Sequence, residues 1–156
     1  MPFFAGLDLG QALDFSALVV LDAGQPRIRA VLVERFRGLA YTQAVDRVVD
    51  HLVPFREVIV LFDRTGVGRP VGDLLRLRAP WLRTVGVTIS GGTRIHRTPD
   101  GLTVPKRTLM QPLAALLGSG RIEIPAGPLA DELRHFGRKV DPRTGHERYE
   151  ARRGHD

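Results

Sequence analysis

The sequence predicts a mixed α/β domain: a five-stranded sheet, three antiparallel strands followed by parallel ones, flanked by helices. Three observations carry this. Three apolar segments, the third rich in β-branched residues, occupy the first 37 residues, as consecutive strands of a meander do. A continuous apolar run, Val58–Phe62, reads as a central strand covered on both faces, as parallel strands are. Between and after these segments the apolar residues switch to helical spacing, which places helices against the sheet.

The first strand is Phe3–Leu9 and the second Phe15–Asp22. The turn Ala23-Gly24-Gln25-Pro26 leads into a third, Arg27–Arg37, where Ile28, Ala30, Leu32 and Glu34 alternate with Arg27, Arg29, Val31 and Val33. Thr42 opens a helix with Ala44, Val45, Val48, Val49 and Leu52 on one side, and Pro54 ends it. The strand Val58–Phe62 stops at Asp63, and Gly66 and Gly68 make a tight turn into a helix marked by Val71, Leu74, Leu75 and Leu77. Val85–Ser90 is the next strand. The polar stretch 91–104 has Pro99-Asp100-Gly101 at its tip, a turn sequence that predicts a small hairpin. Pro105 starts a helix at a favoured first-turn position, with Leu109, Leu113, Leu116 and Leu117 facing the core and Gly118 and Gly120 stopping it. A short extended segment, Arg121–Pro125, precedes a helix over Leu129–Arg138, and the tail holds a further turn at 141–145.

The length, 156 residues, predicts a single domain large enough to bury a core. No apolar stretch reaches the roughly 20 residues a membrane-spanning helix needs, so no membrane partner is expected. The opening Met1-Pro2-Phe3-Phe4 lacks the basic region of a signal peptide. With no cysteine, disulfides, iron–sulfur clusters and thiolate zinc sites are excluded. The net charge is +6, and 21 of the 23 basic residues are arginines. A guanidinium fork binds phosphate in bidentate fashion, which suits a nucleic-acid partner; a GC-rich genome also favours arginine, so composition supports that partner without establishing it.

Two carboxylates stand where chemistry is expected. Asp8 interrupts the apolar run of the first strand, and Asp63 ends the fourth. Ligands of open α/β sheets bind outside the carboxyl ends of strands. If these two strands are neighbours, the carboxylates meet there, and like charges that close repel unless a cation holds them. Mg²⁺ or Mn²⁺ is the natural cation for an all-oxygen site. Each aspartate also has a plainer reading. A single Asp at a strand end is commonly a turn former or helix cap, and Asp63 ahead of Gly66 and Gly68 fits an Asx-turn.

Taken in order, the residues resemble the nuclease domain of a phage terminase large subunit. The resemblance runs through Gly6-Leu7-Asp8-Leu9-Gly10 and Asp14–Val20, then Asp63–Gly68 with Val71 and Asp73-Leu74-Leu75. It continues in Val104-Pro105-Lys106, Gly120–Pro125 and Leu129–Leu133, and closes in Gly145-His146, Tyr149-Glu150-Ala151 and Gly154-His155-Asp156. It spans nearly the whole chain. It implies an RNase H-like (RuvC-like) fold and a metal-dependent endonuclease cutting concatemeric viral DNA during genome packaging, in the cytoplasm of a phage-infected or prophage-bearing bacterium. Its catalytic, metal-binding carboxylates map to Asp8, Asp63 and Asp156, with Asp8 bridging two Mg²⁺ or Mn²⁺ ions, Asp63 holding one and Asp156 the other. Two such ions about 4 Å apart activate the attacking water and stabilise the leaving oxygen. The implied partners are double-stranded DNA and, in a full terminase, an ATPase domain, the small terminase subunit and the portal. No G-x-x-x-x-G-K-[ST] sequence occurs, so no P-loop ATPase domain is expected within 1–156. The family usually has two adjacent aspartates after the His, opening a final helix. Here Asp156 is the last residue, so the expectation is a domain lacking that helix, with an impaired site.

Lys106, at the start of its helix, is a candidate phosphate contact, as helix N-termini favour anions. Arg94 and Arg97 in the hairpin, with Arg152 and Arg153 in the tail, are candidate DNA-backbone contacts; solvated surface charge explains them equally well. The histidines show no H-x-x-x-H zinc spacing, and the serines no G-x-S-x-G nucleophile elbow. Two other functions fit the same elements: a RuvC-like Holliday junction resolvase, and a non-catalytic RNase H-like module that docks on DNA or a portal.

Overall fold

The computed structural model describes residues 3–10, 14–24, 26–65, 68–140 and 147–151. The chain divides into two compact units, Met1–Glu123 and Ile124–Asp156.

The first unit opens with the expected meander, β1 (Phe3–Asp8), β2 (Ser16–Asp22) and β3 (Ile28–Phe36). Then come α1 (Tyr41–Leu52), β4 (Ile59–Asp63), α2 (Gly68–Arg78), β5 (Arg83–Ser90), the hairpin β6 (His96–Thr98) and β7 (Gly101–Pro105), α3 (Lys106–Gly118) and β8 (Ile122–Glu123). These strands form one mixed sheet in the order β6-β7-β5-β4-β1-β2-β3-β8. β2 is antiparallel to both β1 and β3, while β1, β4, β5 and β7 run parallel. The sheet has eight strands rather than five. β1–β5 are the expected ones, and the hairpin and β8 add short strands at the two edges, where a few backbone hydrogen bonds suffice to extend a ladder.

Alternation sorts the strand residues onto two faces. Ala5, Leu7, Leu18, Val20, Val60 and Phe62 are buried on one face, where Ala44, Val45, Val48 and Leu52 of α1 and Val71 and Leu75 of α2 pack against them. The Gln43 side chain caps α1 by accepting the Ala40 N–H at 3.0 Å. Leu77, expected in this core, is 75% exposed; it follows Leu75 by two residues, about 200° round the helix, and so points away.

Two further elements depart from expectation. The leucines of α3 are spaced as a helical face, yet Leu109 and Leu117 are each 39% exposed and no residue of α3 is buried. Spacing makes a face, but burial needs an element over it, and α3 follows β7, next to the sheet edge, rather than joining the α1–α2 layer. In the second unit, α4 (Pro128–His135) ends sooner than the predicted Arg138 and gives way to β9 (Phe136–Val140), paired antiparallel with β10 (Glu147–Ala151). Gly137, a poor helix former, lies within β9 opposite Glu150. The predicted turn at 141–145, and Gly66 of the predicted tight turn, lie outside the described residues.

Candidate metal centre

Asp8 sits in the apolar strand because it is on the strand's other face. Ala5 and Leu7 point into the core at 0% and 4% exposure, so Gly6 and Asp8 point the opposite way. The same alternation on β4 buries Val60 and Phe62 and turns Leu61 and Asp63 outward. β1 and β4 are parallel neighbours with Leu7 beside Phe62. One step further along each strand comes Asp8 and then Asp63, with about 4.8 Å between the strands. The chain leaves β1 towards β2 on one side and returns to β4 on the other, which is the switch point where open sheets form a crevice. A groove of about 370 Å³ lies there, with both carboxylates among walls that include Val19, Leu61, Ile89 and Leu109.

These walls take water from the Asp8 carboxyl, and the negative Asp63 lies beside it; in that order, the two effects raise the Asp8 pKa above its ordinary 3.8. Among the described residues neither carboxylate is in an ion pair. Two neighbouring carboxylates without a compensating cation suit a hard divalent ion.

Local structure fixes each aspartate. After Asp8 the chain doubles back: the Gly10 N–H donates to Ser16 Oγ at 3.2 Å, and Ser16 is 5% exposed. A Cβ on Gly10 would lie 2.5 Å from the Phe15 carbonyl oxygen, so only glycine fits this return. Asp63 Oδ1 accepts the Thr65 N–H at 2.7 Å, the expected Asx-turn. The turn uses one oxygen, and a carboxylate has a second to offer, so the turn and the ligand readings of Asp63 are compatible. The segment after Asp63 is strapped to β5 by Arg64 N–H to the Val87 carbonyl at 2.8 Å and by Ile89 N–H to Thr65 Oγ1 at 3.1 Å.

Arg64 adds a longer tie. Its guanidinium donates to the Asp100 carbonyl oxygen at 2.6 Å and pairs with the Asp100 carboxylate at 3.7 Å, holding the hairpin tip. The side chain crosses Gly86, where a Cβ would come within 2.1 Å of Arg64 Cδ. Sequence reasoning missed this tie. Its only trace is an arginine after Asp63 and a glycine inside a strand, and nothing joins them until β4 and β5 are paired.

Of the other predicted residues, Lys106 is the first residue of α3, one helical turn before the groove-lining Leu109. Arg97 lies on edge strand β6 and Arg94 in the exposed loop before it; neither lines the groove. Asp156, Arg152 and Arg153 lie outside the described residues. Among the described residues no three His, Asp or Glu side chains gather as a metal-binding group, so the described part of the site is the Asp8–Asp63 pair. No described helix is long and apolar enough to cross a membrane.

No protein-family model matches the sequence, and no curated protein does. Solved structures do match. The large terminase nuclease of thermophilic phage G20c with bound magnesium is 24% identical, with a TM-score of 0.74 over 99% of this chain and 74% of that one. Structures of the same nuclease hold cobalt and zinc. The P22 large terminase nuclease domain is 14% identical, with a TM-score of 0.59 over 87% of this chain and 68% of that one. The manganese-soaked, inhibitor-bound human cytomegalovirus terminase nuclease domain is 9% identical, with a TM-score of 0.53 over 79% of this chain and 63% of that one. At these identities the likeness is one of fold: this chain has the RNase H-like fold of large terminase nuclease domains.

Proposed function

We propose that this chain is a metal-dependent DNA endonuclease of the large-terminase type, cutting concatemeric viral DNA during packaging. One observation carries the reading: Asp8 and Asp63 are neighbours in a groove at the switch point of a sheet whose fold is that of terminase nucleases, one solved with bound magnesium. Asp8, Asp63 and Asp156 are the proposed ligands of Mg²⁺ or Mn²⁺, two ions in all. Bound metal supplies an activated attacking water and stabilises the leaving oxygen.

The chain's own residues position the reaction. The Asp8 carboxylate, beside Asp63 in the groove, would be a ligand of the metal. Asp63 is oriented by its bond to the Thr65 N–H. The apolar walls partly desolvate the Asp8 carboxyl, which strengthens the electrostatics within the groove. Lys106 and the N-terminus of α3 attract a backbone phosphate, and Arg94, Arg97, Arg152 and Arg153 are the proposed further contacts to the DNA backbone. Double-stranded DNA is the substrate, in the cytoplasm of the bacterial host. The ATPase domain, small subunit and portal are partners in the assembled motor.

Plasmid nicking in Mn²⁺ tests this. The chain is expected to nick supercoiled DNA, and Asp8→Ala and Asp63→Ala are expected to lose that activity while keeping the parent circular dichroism. Variants that cut as well as the parent would falsify the site. Mn²⁺ calorimetry addresses the non-catalytic module: no binding by the parent favours that reading over a nuclease.

A further inference from the structure

The face that carries Asp8 and Asp63 also carries an aromatic–arginine cluster. Phe15, just before β2, is 43% exposed, with the Arg35 Cζ 3.8 Å and the Arg37 Cζ 4.9 Å from its ring centroid. Both distances are within cation–π range.

Register ties this cluster to the carboxylates. Asp8 is opposite Ala17, and Ala17 is opposite Arg35. Directly paired residues share a face, so Asp63, Asp8, Ala17 and Arg35 form one row across four strands. Ser16 pairs with Phe36, so Phe15 and Arg37 fall on the next row of the same face, towards the end of the sheet where both aspartates lie. Two strand spacings separate the Asp8 strand from the Arg35 strand, about 10 Å. One DNA strand carries a phosphate every 3.4 Å or so of helix axis, which puts the cluster within about three nucleotides of the carboxylates.

We propose that Phe15, Arg35 and Arg37 form a second nucleic-acid contact, which takes backbone phosphates within about three nucleotides of the one acted on at Asp8 and Asp63; its role in cleavage rests on the nuclease reading. The ring is a back-plate. It restricts the two guanidiniums before DNA arrives, so less side-chain freedom is lost when they grip phosphate. A polyanion suits a chain of net charge +6. The cluster and the acidic pair have opposite charge on one face, so a strand bound by the arginines is aligned across the groove.

Fluorescence anisotropy of a labelled 20-base-pair duplex, titrated in EDTA at several salt concentrations, tests the contact without metal or cleavage. The double variant Arg35→Ala/Arg37→Ala is expected to bind about tenfold more weakly, with a slope of log K against log salt shallower by about 1 to 2. Phe15→Leu keeps the apolar bulk and the charges, and is expected to weaken binding several-fold with the slope nearly unchanged. The control Arg27→Ala/Arg29→Ala removes the same charge from the other end of β3 and is expected to keep the parent slope. Equal losses in the double variant and the control, or a double variant that binds like the parent, overturn the contact, as does a parent that binds no duplex. A parent that fails to nick plasmid but shows the cluster-dependent slope retains the contact and overturns the nuclease reading alone.

Discussion

The two faces of the sheet are built by the same strands and have opposite tasks. On one, Ala5, Leu18, Val20 and Val60 reach 0% exposure beneath α1 and α2. On the other, one residue along each strand, Asp8, Ala17 and Asp63 line a groove and Arg35 continues the row. The difference shows how a charged residue is accommodated in an apolar strand: a period of two lets one residue serve the core and the next serve chemistry, at no cost to packing. Core positions are then sensitive to volume, and groove positions to charge.

The sharpest test of this contrast is at the groove. Asp8→Ala or Asp63→Ala is expected to lower Mn²⁺-dependent nicking by at least about 100-fold while leaving folding intact. On the core face the effect reverses in kind. Leu75→Ala is expected to cost about 2–5 kcal/mol in urea unfolding, because it removes a fully buried side chain that its neighbours cannot replace.

A smaller effect separates the faces by pH. The raised Asp8 pKa means that the folded state holds the proton more tightly than the unfolded chain does. Stability is therefore lost as pH rises from the ordinary 3.8 through the raised value. Asp8→Asn removes that loss. Without metal it is expected to melt above the parent at pH 7, with the difference closing below pH 3.8. Added Mn²⁺ is expected to raise the melting point of the parent and not of the variant. The smallest effect is at Leu77→Ala, expected within about 0.5 kcal/mol of the parent despite the leucine two residues away at the centre of the core.

The sequence made the central architecture legible for physical reasons. Apolar runs, the third rich in β-branched residues, with turn residues between them define the meander, and the unbroken apolar run marks β4. An aspartate that breaks an apolar run with no turn at that point stands out, and the rule of strand carboxyl ends pairs it with Asp63. What stayed hidden depends on pairings remote in sequence. Leu77 fits a helical pattern as well as Leu75 does, and only the position of the sheet separates them. The leucines of α3 specify a face and not what covers it. Residues 136–138 read as the end of a helix until strand 136–140 is opposed by 147–151. The Arg35 row and the Arg64–Asp100 tie join residues from separate elements, 18 and 36 positions apart, that alternation within one strand cannot connect.

Gly86 shows what such a tie means for tolerance to change. It lies in the middle of β5 and lines no part of the groove, so a survey of ligand contacts would pass over it. Any side chain there displaces the Arg64 stem and with it the hold on Asp100. In a saturation library selected for cutting, position 86 should therefore tolerate as few letters as the aspartates. Its intolerance would reflect an arginine that needs a clear path, 22 residues earlier in the chain.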